Sequence, residues 1–133
     1  MTKNLHRGFT LIELLIVITI LGLLMSLVAP KMFNKADSTK RNVAAAQIQN
    51  IETALDTFRL DVGDYPENLS ELRKSTKRGW DGPYLPKEIP LDPWGNTYDY
   101  QSPGEDGMPF TLKSFGKDGQ EGGTDDNADI VNQ

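Results

Sequence analysis

The sequence predicts an α+β chain in which one long N-terminal α-helix packs on a small antiparallel β-sheet with long loops. Three observations predict it. Residues 9–29 form a continuous apolar run with a single charge, Glu13. Residues 44–62 carry apolar side chains at helical spacing. Residues 96–115 hold two alternating segments on either side of a proline–glycine turn. The charge is divided in the same way. Of the 133 residues, 1–60 carry seven bases against four acids (+3) and 61–133 carry seven bases against fifteen acids (−8), which together make the net −5. An acidic body excludes nucleic acid as a partner, because phosphates select Lys/Arg clusters.

The chain has no cysteine and one histidine, His6. Disulfide scaffolds, thiolate nucleophiles and Cys-type zinc sites are excluded, and a His-based catalytic pair or metal centre has no material to build on. No nucleophile–base pair can be assembled, so the chain is not read as an enzyme. Remaining chemistry rests on carboxylates and other oxygens.

The first element is the run FTLIELLIVITILGLLMSLVA, 21 residues long. As a helix it measures about 31 Å, enough for a bilayer core of about 30 Å. The basic leader MTKNLHRG precedes it, and Pro30 and Lys31 follow. A secretory signal peptide fits poorly: the run is longer than an ordinary h-region and no A-x-A-like site follows it. A single membrane anchor with its basic end in the cytoplasm fits the length. Glu13 is the anomaly, since a carboxylate inside a spanning helix costs about 2.5–3.5 kcal/mol and asks for a partner. It either snorkels from the helix end or, if the chain is cut after Gly8, meets the new amine of Phe9 in its own or a neighbouring chain.

Gly8-Phe9-Thr10-Leu11-Ile12-Glu13 ahead of an apolar helix resembles the leader signal of type IV pilins and pseudopilins. The resemblance implies that residues 1–8 are a prepilin leader. A membrane prepilin peptidase would cut between Gly8 and Phe9 and N-methylate Phe9. Glu13 would guide assembly by meeting the N-terminus of an adjacent subunit. Residues 9–29 would then be the membrane and polymerisation helix, and 30–133 a periplasmic domain.

Gly22 and Pro30 weaken the helix that follows. A kink at the membrane surface is one reading. The resemblance adds that this stretch melts when subunits pack into a fibre. Beyond Lys31, Ala44, Ile48, Ile51, Leu55, Phe58 and Val62 recur at spacings of four and three, a core-facing stripe. Lys40, Arg41, Gln47, Asn50, Glu52, Asp56 and Arg59 between them read as solvated surface. Gly63 is placed as a helix-terminating glycine and Tyr65-Pro66 forbids continuation. One helix over about 9–62 is expected.

Residues 66–73 are expected to form a short helix beginning at Pro66, with Leu69 and Leu72 inward. Residues 74–95, rich in Gly, Pro and Trp, are expected to form a structured loop pinned by aromatics. Lys74, Lys77 and Arg78 read as a solvated or subunit-facing patch. Residues 96–101 and 108–115 should pair as a β-hairpin across Pro103-Gly104-Glu105-Asp106-Gly107 and cover the helix stripe.

Residues 116–129 hold five acids and four glycines. They read either as a flexible acidic tail or as a calcium loop, since calcium takes oxygens and glycines let the chain wrap. Asp118 to Asp129 has EF-hand length with Gly123 at the sixth place, but Gln120 and Gly122 occupy ligand places and no helix follows.

Asp92-Pro93-Trp94-Gly95-Asn96-x-Tyr98-x-Tyr100, Ser102-Pro103-Gly104, and Ser114-Phe115-Gly116-Lys117-Asp118-Gly119 leading to Gly122-Gly123 and Ala128-Asp129-Ile130 resemble the major pseudopilins of the type II secretion system. The resemblance covers nearly the whole chain and implies a pilin-like fold. It implies a calcium loop over 116–130. Asp118, Asp125 and Asp126 would give side-chain oxygens, and Phe115 and Gln120 backbone carbonyls. Asp129 would be either a ligand or a group behind the ligands. It further implies a homopolymeric periplasmic fibre on the bacterial inner membrane, working with minor pseudopilins and an inner-membrane assembly platform. Its growth would help drive folded proteins through an outer-membrane secretin. Two alternatives stand beside it. A type IV major pilin for adhesion or motility commonly closes its C-terminal loop with a disulfide, which is absent here. A membrane-anchored calcium-binding module would be neither cut at Gly8 nor dependent on Glu13.

Overall fold

The computed structural model describes residues 8–132. Except for Gly8, the leader expected over 1–8, with His6, falls outside them. The chain forms two compact units, one up to Ala36 and one from Asp37 onward. Helix α1, Leu11–Val62, begins in the first and ends in the second.

In the first unit every described residue is exposed. Thr10 caps α1: its Oγ1 accepts the Glu13 N–H at 3.3 Å and its carbonyl accepts the Leu14 N–H at 3.2 Å. The hydroxyls of Thr19 and Ser26 donate back to the carbonyls of Leu15 and Leu23, both at 2.6 Å. Polar side chains in the apolar run are thereby satisfied within the helix. Pro30 lies inside α1, which continues through it in the single chain.

In the second unit α1 buries Ala44, Ile48, Ile51, Ala54, Leu55 and Phe58, the expected stripe with Ala54 added and Val62 only half-buried. Each fully buried Leu, Ile or Phe contributes roughly 1.5–3 kcal/mol. Gly63, at φ +106°, ends the helix, and its N–H reaches the Arg59 carbonyl at 2.8 Å.

The helix expected from Pro66 is a shorter 3₁₀ turn, Leu69–Leu72. Asn68 is extended (φ −148°, ψ 159°), which prevents an earlier start. Pro66 is itself buried, and its carbonyl accepts the Tyr100 hydroxyl at 2.7 Å. Leu72 is buried and Leu69 half-buried, as their spacing requires. The loop beyond is pinned by aromatics: the Trp80 indole N–H donates to the Glu71 carbonyl at 2.8 Å and the Tyr84 hydroxyl to Asp61 at 2.8 Å. Lys77 departs from the solvated patch expected of it. It pairs with Glu71 at 3.0 Å, and its ammonium lies 5.9 Å from the centre of the Phe58 ring.

Three antiparallel strands follow in the order β1-β2-β3: β1 Asp99–Gln101, β2 Thr111–Ser114 and β3 Ile130–Val131. Asp99 stands opposite Lys113 and Gln101 opposite Thr111; Ser114 stands opposite Ile130. The hairpin matches expectation, but its strands are shorter. Residue 96 belongs instead to a turn built on the buried Asp92, whose Oδ1 accepts the N–H groups of Trp94 (3.1 Å) and Asn96 (2.8 Å). β3 was not expected: Ile130, placed by sequence at the end of a loop, joins the sheet. Asn132 extends the pairing, exchanging hydrogen bonds with the Leu112 backbone at 2.8 and 2.9 Å. Phe110, Leu112, Tyr98 and Leu72 close the core over the α1 stripe.

Three helix residues taken as solvated surface, Arg41, Gln47 and Glu52, are half-buried. The Tyr98 hydroxyl donates to the Gln47 side chain, and Arg41 donates to the tail. Both of these contacts became legible only once residues 98 and 126–128 were brought to α1.

Candidate functional site

Two regions carry candidate functional residues. The first is the start of α1. Gly8 and Phe9 precede Thr10, so a cut after Gly8 leaves the Phe9 amine one residue before the helix cap. Glu13 stands in the first helical turn and is exposed. The partial positive charge of unpaired N–H groups there favours a carboxylate. Thr10 is the residue that sequence reading missed. Thr10-x-x-Glu13 is the spacing of a capping box, and that spacing was the available signal.

The second region is the tail loop between β2 and β3. It leaves the sheet through a buried hydrogen-bonded corner: the Ser114 hydroxyl donates to Asp92 Oδ2 at 2.8 Å, and the Gly116 N–H reaches Ser114 Oγ at 3.2 Å. Gly116 has φ +74°, and a Cβ there would stand 2.7 Å from the Ala128 carbonyl oxygen. Only glycine lets the two arms of the loop approach so closely. Asp118 Oδ1 accepts the Gln120 N–H at 3.1 Å, and Asp129 Oδ2 accepts the Gly122 N–H at 3.0 Å. A 3₁₀ turn, Asp125–Asn127, leads back to β3.

Basic side chains hold this acidic loop from outside. Lys113, buried in β2, reaches Glu121 at 3.1 Å and Glu105 at 3.4 Å and lies over the Phe115 ring at 5.7 Å. Its pKa is raised, chiefly by the bond to Glu121. Lys117 pairs with Asp37 at 3.0 Å, and Arg41 Nη1 donates to the carbonyls of Asp126 (3.3 Å) and Ala128 (2.8 Å). The tail is therefore an ordered loop rather than a free end.

Of the expected ligands, Asp118 and Asp125 are exposed and Asp126 and Asp129 half-buried. Among the described residues no three acidic or histidine side chains come together as a metal cluster, so Asp118, Asp125 and Asp126 are not gathered side by side. One oxygen does fit a hard cation: Asp129 Oδ1 is buried with no hydrogen-bond partner. An unpaired buried carboxylate oxygen is costly, and a bound cation would satisfy it.

Comparison with known proteins covers both regions. Residues 31–133 match the family model "Type II secretion system (T2SS), protein G", and residues 3–29 match the prokaryotic N-terminal methylation motif. The type II secretion system core protein G of Pseudomonas aeruginosa is 41% identical over 99% of this chain and 98% of its own length. That of Vibrio cholerae is 40% identical over 96% of this chain and 91% of its own. In structure the chain is similar to the crystal structure of the major pseudopilin from the type 2 secretion system of enterohaemorrhagic Escherichia coli. There the TM-score is 0.63 and the identity 30%, over 74% of this chain and 87% of that one.

Proposed function

The chain belongs to the family of type II secretion system protein G, and from that premise we propose that it is the major structural subunit of the pseudopilus, not a catalyst. The observation that carries the reading is the exposed apolar start of α1 with Glu13 in its first turn, joined to a folded domain of the family's kind. A helix apolar on all sides requires lipid or other helices around it. The family match over 31–133 favours this reading over a pilus for adhesion or motility.

In this reading prepilin peptidase cuts between Gly8 and Phe9 and methylates Phe9. The subunit then waits as a single-pass protein of the inner membrane with its domain in the periplasm. Glu13 meets the amine of a neighbour as the subunit enters a homopolymer. Gly22 and Pro30 mark where α1 loosens inside the fibre, because glycine and proline are the weakest helix residues there. The assembly platform and minor pseudopilins are its partners, and the growing fibre helps drive folded proteins through the secretin.

The tail loop takes calcium in the same reading. Asp118, Asp125 and Asp126 would hold it with the carbonyls of Phe115 and Gln120, and Asp129 supplies its buried free oxygen. Bound there, the ion would supply the cross-link that a cysteine-free small domain lacks.

Mass spectrometry and fibre counts test the assembly reading together. The mature chain should begin at N-methylated Phe9. Glu13→Ala should be cut and methylated yet form few fibres, and normal fibres from that variant would sink the role of Glu13.

A further inference from the structure

We propose that Arg41, with Asp37, latches the tail loop to α1, so that calcium in the loop and order in helix residues 37–44 support each other. The proposal rests on the calcium reading and goes beyond it, because neither residue is an expected ligand. Asp37 and Arg41 stand four apart, on one face of α1. Asp37 reaches Lys117 at one arm of the loop, at 3.0 Å, with its side chain only 16% exposed. Arg41 reaches the other arm, at the carbonyls of residues 126 and 128. One helical turn thus grips both ends of the segment that carries Asp118, Asp125, Asp126 and Asp129.

The chemistry of the grip matters. The guanidinium donates to the main-chain oxygens of Asp126 and Ala128, so these bonds fix the backbone without drawing on carboxylate oxygens. It places a positive charge where an acidic loop would otherwise repel itself. A loop already held in place loses less freedom on binding and binds more tightly. The coupling is reciprocal: whatever Arg41 adds to calcium affinity, calcium adds to the order of the helix turn that carries Arg41.

Hydrogen exchange on the full chain in detergent micelles, with calcium or with EGTA, tests this, together with calcium titration calorimetry. In the parent chain calcium should slow exchange both at 116–131 and at 37–44. In Arg41→Gln calcium should bind on the order of tenfold more weakly, as expected for a lost charge-assisted bond. It should no longer slow exchange at 37–44, while 48–58 exchanges as in the parent. Arg41→Lys, which keeps the charge, should restore part of both effects. An Arg41→Gln chain with parental affinity and parental slowing at 37–44 overturns the proposal. If calcium leaves 116–131 unchanged in the parent, as in Asp118→Ala, the calcium reading fails and the coupling fails with it. The grip itself is then read in EGTA: faster exchange at 126–129 in Arg41→Gln upholds it, and equal rates overturn it as well.

Discussion

Tyr98 shows how one side chain ties the sheet to the helix and makes stability depend on pH. Its ring is buried and its hydroxyl donates to Gln47. Burial, with the nearby charge of Asp92, pushes its pKa up to about 12, and burial does the same for Tyr100. An unfolded tyrosine releases its proton near pH 10. Between about 10 and about 12 the unfolded chain therefore binds fewer protons than the folded one, and stability falls as pH rises. Below pH 10 neither group takes part. Denaturant melts at pH 8 and pH 11 should show this loss in the parent chain and a smaller one in Tyr98→Phe. At pH 8 that variant should be weaker by about 1 kcal/mol for the missing hydrogen bond. Equal losses in both chains would remove Tyr98 from the account. The tyrosine was legible as a strand residue. Its partner Gln47 was not, because a polar residue beside an apolar stripe looks solvated until the fold places an acceptor's donor against it.

Elements with a long period could be read from the sequence, and elements fixed by contacts could not. The stripe on α1 repeats over about four turns, so its buried face was plain from Ala44 to Phe58. β3 has two residues, too few for any alternation, and exists because Leu112 and Asn132 bond across it. The 3₁₀ turn at Leu69–Leu72 starts late because Asn68 is extended and Pro66 is already engaged. In the tail the acids and glycines suggested a metal loop but could not name the basic residues that hold it. Gly116 is the most constrained position of that loop. Gly116→Ala should cost on the order of 2 kcal/mol, from the unfavourable positive φ and the crowding at the Ala128 carbonyl. Thermal melting should show the loss, and limited proteolysis should cut first within 116–130. An unchanged melt would mean that the turn can reshape at no cost.

At the scale of the whole molecule, a basic apolar start and an acidic folded domain match the two regions identified by family comparison. For the acidic domain, calcium at about 100 times its dissociation constant would add about 2.7 kcal/mol to stability. For a domain of this size that raises Tm by on the order of 10 °C. Scanning calorimetry of the full chain in micelles, with calcium and with EGTA, checks it, and Asp118→Ala should erase the difference. For the apolar start, the exposure of every described residue up to Ala36 has a further consequence. A subunit leaving the bilayer for a helical fibre exchanges hydrocarbon for leucine, isoleucine and valine, a transfer between two solvents of nearly equal polarity. The hydrophobic term of that exchange then almost cancels. In the assembly proposed above, what would give the exchange its direction is the little that differs between the two solvents: packing, and the counter-charge proposed for Glu13, which lipid tails cannot offer.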